Sequence, residues 1–220
     1  SQSIFVRVDA DSMAHLSAII VGPPGTPYEN GLFHFHVFLP PQCPQRPPKV
    51  TLMTTGGGQV RFNPNLYANG KVCLSLLGTW SGPGWHPDCT LLQVFLSIAT
   101  LILVDEPFFN EPGYSRTAPL AMQHSARNNA CLYARTVNLA MTDPLQTPPL
   151  GFAEVVKAHF RIKCWAVLQR ANEWATTIND ANDDTSRAQS RKRTHPKHQM
   201  TSTGGRPRIK LPDIQALKNA

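Results

Sequence analysis

Residues 32–40, "LFHFHVFLP", alternate between two sets of side chains. The set on one side is Phe33, Phe35, Val37 and Leu39, and the set on the other is His34, His36 and Phe38. Because successive side chains of a strand point to opposite faces, this pattern predicts a β-strand with one face in the core and the other in solvent. His34 and His36 have no third metal ligand nearby in the sequence, so we interpret them as an exposed strand face and predict no metal site.

Further strands are predicted on both sides of this one. Upstream, residues 4–6 and the apolar run His15–Val21 are typical of strands, and the following "GPPGTPYENG" forces the chain to turn. Downstream, the repeated prolines of residues 40–48 exclude helix, and residues 49–54 form another short strand. The order of these segments predicts an antiparallel meander.

Helices are predicted only after residue 90. Residues 91–104 form an apolar run of 14 residues, and Thr90 with Gln93 fits a capping box. We expect one unbroken helix, apolar on nearly all sides, central to the core and too short to cross a bilayer. Two more helices are expected at about residues 119–141 and 152–177, which makes the fold class α+β.

Charge divides the chain into a body and a basic extension. Residues 1–182 carry 12 Lys and Arg against 11 Asp and Glu, whereas residues 183–220 carry 9 against 3. We predict that residues 183–220 are a disordered, solvated tail. Its "SRKRTHPKH" resembles a nuclear-import patch, and binding to nucleic acid or acidic protein is the alternative. The tail has few aromatic residues to stack on bases, so we do not expect nucleic acid as a partner.

The cysteines indicate the redox setting. The five cysteines, at positions 43, 73, 89, 131 and 164, are widely spaced and odd in number, and no pair has zinc-ligand spacing. This pattern argues against a disulfide framework and a zinc site, and favours reduced thiols in an intracellular protein. We therefore expect a cytoplasmic and/or nuclear location, with no membrane partner.

One cysteine has neighbours that suggest chemistry. Residues 62–80, "FNPNLYANGKVCLSLLGTW", place Cys73 just after Asn69-Gly70, a strong signal for a tight turn. We expect the turn to hold Cys73 near the surface. Asn65 lies eight residues upstream in a segment made rigid by Pro64. A carboxamide beside a thiol can stabilise the oxyanion of acyl transfer, whereas burial as a small apolar side chain is the alternative for Cys73.

Several motifs together resemble the catalytic domain of ubiquitin-conjugating enzymes. They are "GPPGTPYENGLFHFHVFLP", "PPKV", "NPN", "NGKVCLSLLGTW" and "DEPFFNEPG", in that family's order over about residues 5–115. "LILVDEPFFNEPGY" and "AHFRIKCWAVLQRANEW" resemble the large hybrid conjugating/ligating and giant inhibitor-of-apoptosis types. The resemblance implies a UBC-like fold: a catalytic core at residues 1–118 without the family's usual N-terminal helix, then a helical extension at residues 119–182.

The resemblance also implies roles for particular residues. Cys73 matches the cysteine that accepts ubiquitin from the activating enzyme as a thioester, and Asn65 matches the asparagine that supports the oxyanion when a substrate lysine attacks. Asn63 stands where the family has a histidine that is thought to be mainly structural. Glu111 falls near an acidic residue that orients or deprotonates the lysine, although solvation beside a helix explains it as well.

Partners and cofactors follow from the same resemblance. The family uses ubiquitin, the activating enzyme, protein substrate lysines and either a separate ligase or its own ligase activity. It needs no cofactor, because the activating enzyme consumes the ATP. The loops at residues 44–48 and around Trp80 and Trp85 correspond to the region that contacts ligases and the activating enzyme. Trp85 is the better candidate for contact, whereas we expect Trp80 to pack onto the core. The alternative function is a catalytically silent, ubiquitin-binding adapter of the same fold.

Overall fold

A four-stranded antiparallel sheet forms the first part of the protein. The computed structural model describes the backbone of residues 4–193 and the side chains of residues 4–179. The strands are β1 (Ile4–Val8), β2 (His15–Val21), β3 (Leu32–Phe38) and β4 (Lys49–Leu52), paired in sequence order. The predicted meander is therefore confirmed, and each strand agrees with its predicted segment to within two residues.

Both faces of this sheet carry a hydrophobic cluster. One face, which we call the front face, presents Ala18, Ile20, Phe33, Phe35 and Val37 to the main cluster. The opposite face, the back face, presents Ile19 and Leu32 to a second cluster. The sequence predicted the front face correctly, because Phe33, Phe35 and Val37 alternate with the histidines.

The central helix begins as predicted and ends differently. Helix α1 (Leu91–Ser97) starts at Thr90, whose side chain and that of Gln93 form the expected capping box. Residues Ile98–Ile102 then continue as a π-helical turn, in which the Leu103 N–H donates to the Ile98 carbonyl at 3.0 Å. The prediction of one unbroken helix was therefore wrong.

The expectation that this helix is buried on all sides was also wrong. Val94, Phe95 and Ile98 lie in the main cluster, whereas Leu92, Leu96 and Leu101 are exposed. The sheet covers one side of the helix only. The apolar residues on the other side therefore remain at the surface.

The C-terminal half is helical with a short break. It contains α2 (Pro119–Arg135), a π-helical turn (Thr136–Thr142), α3 (Asp143–Gln146) and α4 (Ala153–Arg193). Helices α2 and α4 pack together, with the rings of Tyr133 and Trp174 stacked at 4.8 Å. Gly31 permits close approach of the π-helical turn, since a Cβ there would lie 2.9 Å from Cγ2 of Thr136. The two predicted helical regions are present, with shifted ends.

The start of α4 covers much of the back face. Phe152, Val156 and Phe160 pack against Ile19 and Leu32 in the second cluster. His34 is consequently half-buried, with its ring 6.1 Å from that of Phe152, whereas His36 is exposed. The expectation that both histidines lie on a solvent-exposed face was therefore wrong for His34, because period-two alternation cannot show that a distant helix covers the second face.

The structure shows no end of helix at Asp183, where we expected the folded body to give way to a disordered tail. Helix α4 continues through this position to Arg193, so the disorder expected from residue 183 is contradicted up to that point. The remainder of the basic tail, including most of "SRKRTHPKH", lies outside the described residues. Within residues 4–193, no helix is both long and apolar enough to span a membrane.

Candidate active site

The predicted turn before Cys73 is present. The Gly70 N–H donates to the Tyr67 carbonyl at 3.0 Å, and the Tyr67 N–H donates to the Lys71 carbonyl at 3.0 Å. Gly70 has φ of 87°, and a Cβ there would lie 2.7 Å from the Leu52 carbonyl oxygen. Only glycine fits both constraints.

Cys73 and Asn65 are joined by two hydrogen bonds. The Cys73 N–H donates to the Asn65 carbonyl at 2.9 Å, and the Asn65 side-chain Nδ2 donates to the Cys73 carbonyl at 2.9 Å. The expected proximity of a carboxamide to this cysteine is therefore present. A side-chain amide has two N–H donors, and this bond occupies only one of them.

The exposure expected for Cys73 was wrong. The residue is 2% exposed and is the only buried one among the five cysteines. The reason lies in its neighbours: Val72 and Leu74 belong to the main cluster and draw the segment inward. The Thr79 hydroxyl also fastens the segment, since it donates to the Val72 carbonyl at 2.7 Å and accepts from the Leu74 N–H at 3.0 Å.

Asn63 is the centre of a buried polar network. It is 3% exposed, and its Nδ2 donates to the Ile102 carbonyl at 2.7 Å. Its Oδ1 accepts from the Asn65 N–H at 2.7 Å and from Nδ2 of Asn110 at 3.4 Å. The last carbonyls of a helix have no partner within it, and here Asn63 takes one of them. Asn63 thereby connects the Asn65 backbone to the end of the π-helical turn Ile98–Ile102.

Tyr28 and Asn110 extend this network on either side. Tyr28 donates its hydroxyl to the Phe62 carbonyl at 2.7 Å, and burial raises the pKa of this tyrosine despite its contact with Asn63. Asn110 donates from Nδ2 to the Leu101 carbonyl at 3.0 Å. The sequence analysis missed both residues, because Tyr28 lies in a distant turn and Asn110 in a loop whose placement local patterns do not reveal.

Glu111 is held by Arg61 rather than by Cys73 or Asn65. It follows the 3-10 turn Pro107–Asn110, and its carboxylate Oε2 lies 3.3 Å from a guanidinium nitrogen of Arg61. Both side chains are a little under half exposed, at 45% and 43%. Among the described contacts, none joins Glu111 directly to Cys73 or Asn65, so Arg61 is its connection to the site.

A surface cavity of about 480 Å³ lies beside this ion pair. It is lined by Arg61, Phe62, Asn63, Pro64, Phe108, Glu111, Tyr114 and Asn128. Pro64 belongs to its wall and the next residue, Asn65, contacts Cys73. The cavity therefore adjoins the candidate site and combines an ion pair, amides and aromatic rings.

The two loop tryptophans are arranged opposite to expectation. Trp85 packs against the main cluster and donates its Nε1–H to the Pro44 carbonyl at 2.6 Å. Trp80 is the exposed one. The indole N–H of Trp85 needs an acceptor, and the Pro-rich loop supplies it, so Trp85 joins two loops instead of standing free.

Among the side chains described, no group of three or more His, Cys, Asp and Glu residues gathers as metal ligands would. His34 instead contacts a hydroxyl group. Its Nε2 lies 2.6 Å from the Ser17 hydroxyl, and burial, with a smaller contribution from His36, lowers the pKa of His34 to about 4.

Comparisons with known proteins agree on one family. A family model described as "Ubiquitin-conjugating enzyme" matches residues 1–139. The chain is 43% identical over 190 residues to the Caenorhabditis elegans "Probable ubiquitin-conjugating enzyme protein 17", which covers 84% of this chain and 26% of that protein. It is 44% identical over 190 residues to the Homo sapiens "Dual E2 ubiquitin-conjugating enzyme/E3 ubiquitin-protein ligase BIRC6", covering 84% of this chain and 4% of that protein.

A shorter relative and a solved structure extend the comparison. The Homo sapiens "Ubiquitin-conjugating enzyme E2 Z" is 44% identical over 143 residues, covering 65% of this chain and 40% of that protein. The solved E2 domain of a Toxoplasma gondii ubiquitin conjugating enzyme is 27% identical, with a TM-score of 0.48, over 62% of this chain and 88% of that one. The chain thus spans well under half the length of the curated relatives named here.

Proposed function

Because the chain belongs to the ubiquitin-conjugating enzyme family, a family of transferases, we propose that Cys73 accepts ubiquitin as a thioester and passes it to substrate lysines. Membership confirms the predicted resemblance and the α+β, UBC-like fold. The roles of Cys73, Asn65 and Glu111 rest on position and geometry and are part of this proposal. So is the division into a core at residues 1–118 with a helical extension.

The observation that carries the proposal is the pair of hydrogen bonds between Asn65 and Cys73. They hold one carboxamide beside the cysteine and leave its second N–H available. In charging, the Cys73 thiolate attacks the ubiquitin carbonyl carbon of the activating enzyme's thioester, a new C–S bond forms, the old C–S bond breaks, and that enzyme's thiolate leaves. In discharge, a neutral lysine amine attacks the same carbon, and the second Asn65 N–H donates to the resulting oxyanion.

The final step restores the thiol. The C–S bond breaks as the amide forms, the Cys73 thiolate leaves and takes up a proton, and the amine loses one. At neutral pH only about one lysine in two thousand is deprotonated, since its usual pKa is about 10.4. Orientation and deprotonation of the amine therefore limit the reaction, and a carboxylate such as Glu111 would assist by orienting the groups around the amine.

The burial of Cys73 sets a condition on this mechanism. A thiol in a residue that is 2% exposed cannot meet another protein's thioester until the covering segment moves. Thr79 of the exposed loop at residues 78–84 is hydrogen-bonded to Val72 and Leu74, on either side of the cysteine, and this loop is the segment we expect to open. The same burial favours the second candidate, a catalytically silent adapter that binds ubiquitin without carrying it.

One assay separates these two functions. The native chain is incubated with activating enzyme, ATP and ubiquitin, and a reducible adduct is measured. We expect the adduct in the native chain and in Cys131→Ala, a matched control at a partly exposed cysteine, and its loss in Cys73→Ala. A folded chain that binds ubiquitin but forms no adduct would reject the enzyme in favour of the adapter.

Asn65→Ala tests the second role. Charging should proceed, whereas discharge to lysine should slow by on the order of a hundredfold, the usual effect of losing one oxyanion donor. Asn172→Ala, an exposed carboxamide on α4, serves as the control and should discharge normally. Equal discharge rates in Asn65→Ala and the native chain would remove Asn65 from the mechanism.

The ligase and the cellular location are also part of the proposal. The human relative BIRC6 is named as a dual conjugating enzyme and ligase. We therefore propose that this chain works either with a separate ligase or within a protein that supplies its own ligase activity. Discharge to a protein substrate with and without added ligase distinguishes the two. A cytoplasmic and/or nuclear location follows from the proposed partners and is tested by imaging the tagged protein.

A further inference from the structure

Arg61 makes more contacts around the candidate site than its position in the sequence suggests. Its Nε donates to the Asn63 carbonyl at 3.2 Å, and one terminal nitrogen donates to the Pro64 carbonyl at 2.6 Å. The same terminal nitrogen lies 3.3 Å from the Glu111 carboxylate. One guanidinium therefore holds two consecutive carbonyls before Asn65 and the loop that carries Glu111.

The guanidinium is itself held in place. Its Cζ lies 4.4 Å from the centroid of the Tyr67 ring, a distance typical of a cation–π contact. The Arg61 carbonyl accepts a hydrogen bond from Arg135 at the end of α2, at 3.3 Å. A planar group with five donors suits such a site, whereas a lysine ammonium cannot bond both carbonyls and the carboxylate in the same way.

We propose that Arg61 is a positioning residue for the transfer step, fixing the Asn65 carboxamide and the Glu111 loop in one arrangement. This inference rests on the proposed function. Arg61 acts through Asn65. Because Arg61 fixes the Asn63 and Pro64 carbonyls, the Asn65 backbone is held in place, and the Asn65 side-chain nitrogen stays 2.9 Å from the Cys73 carbonyl. No described contact joins Arg61 to Cys73.

The ion pair also assigns a role to Glu111. Its carboxylate Oε2 lies 3.3 Å from the Arg61 guanidinium, and no described contact joins it to Cys73 or Asn65. Glu111 in this arrangement orients Arg61 and the cavity wall. Its effect on transfer therefore passes through Arg61, and the two residues should be coupled.

The kinetic test measures charging and single-turnover discharge to free lysine in Arg61→Ala, Arg61→Lys and the control Arg161→Ala, an exposed arginine of α4. Arg61→Ala should charge normally and discharge about tenfold more slowly at saturating lysine, on the scale of one charge-assisted hydrogen bond. The lysine concentration for half-maximal rate should not change. Arg61→Lys should recover part of the rate, and Arg161→Ala should equal the native chain.

A double variant distinguishes positioning from general support of the fold. If Arg61 acts through Asn65, adding Arg61→Ala to Asn65→Ala should cause no further slowing of discharge. Likewise, Glu111→Gln should have no effect once Arg61 is absent. A full tenfold loss in the Asn65→Ala background, or slowed charging that matches slowed discharge, would overturn the proposal.

A readout that needs no ubiquitin completes the test. Nuclear magnetic resonance of the Asn65 side-chain NH₂ group should show faster hydrogen exchange and a shifted signal in Arg61→Ala, with the Asn172 signal unchanged. An unaltered Asn65 signal would overturn the proposal. A native chain that cannot be charged, but whose Asn65 signal responds to Arg61→Ala, would reject the proposed function and leave the positioning role supported.

Discussion

The two faces of the sheet are buried by different means. The front face meets α1, the π-helical turn Ile98–Ile102 and the Asn63 network, which residues 28–110 supply, and only Leu132 and Ala140 join its buried cluster from the C-terminal region. The back face meets Phe152, Val156 and Phe160 of the C-terminal region. The front face supports the candidate site, whereas the back face fastens a separate group of helices. This difference means that damage to the two faces should have separable consequences.

The largest expected effect is on the front face. Phe33→Ala removes a fully buried ring that meets Tyr28 and Phe62 edge to face, at 5.5 Å and 5.2 Å. Loss of apolar burial and the resulting cavity should lower the free energy of unfolding by about 4 kcal/mol. Urea titration measures this free energy of unfolding. Phe38→Ala is the control, because Phe38 is half-buried on the same strand, and it should lower the free energy of unfolding by about 1 kcal/mol. Similar losses in the two variants would contradict the burial argument.

Phe152→Ala should have a smaller and more local effect on the back face. The ring is fully buried, so we expect a loss of about 3 kcal/mol. Because Phe152 immediately precedes α4, amide hydrogen exchange should quicken in the first turns of α4 and less so in α1. Equal acceleration in both helices would show that the two faces unfold as one unit.

The back face should also respond to pH through His34. Its folded pKa of about 4 lies below the usual value of about 6.5, so the unfolded state binds a proton first as pH falls. Stability is therefore fully present above pH 6.5 and decreases as pH falls towards 4. The difference in unfolding free energy between the native chain and His34→Gln should change over this window. A constant difference would refute the assigned cause.

The smallest effect is expected at the edge of the back face. Arg7 donates from Nε to the Gly151 carbonyl at 3.1 Å, and its Cζ lies 5.3 Å from the Phe152 ring centroid. Because Arg7 is exposed, Arg7→Ala should lower the unfolding free energy by less than about 1 kcal/mol. Thermal unfolding measures the change. A loss comparable to that of Phe152→Ala would show that this contact, rather than the buried ring, holds α4.

Local patterns predicted the elements whose signals are local. The alternation around Phe33, the turn at Gly70 and the capping box at Thr90 each depend on neighbours within a few residues, and each is present. The proximity of Asn65 to Cys73 also followed from a short spacing, which the turn closes. The sequence did not predict the change to a π-helical turn after Ser97, because the apolar residues at positions 98–102 fit a regular α-helix equally well.

Long-range contacts explain what sequence patterns missed at the site. Arg61 reaches Glu111 across 50 positions, and Asn63 reaches Ile102 across 39. The burial of Cys73 depends on the core that Val72 and Leu74 enter, rather than on the turn that precedes them. None of these partners has a spacing that periodicity can detect.

By itself, the sequence determined the strand and helix types, the front face of the sheet and the cysteine–asparagine pair, since each is set by side-chain alternation or by a rigid turn. Only the tertiary structure decided that the back face is covered, that Cys73 lies inside and that Arg61 joins Asn65 to the Glu111 loop. Burial and ion pairing depend on which distant segments meet, and that is settled by how the whole chain packs.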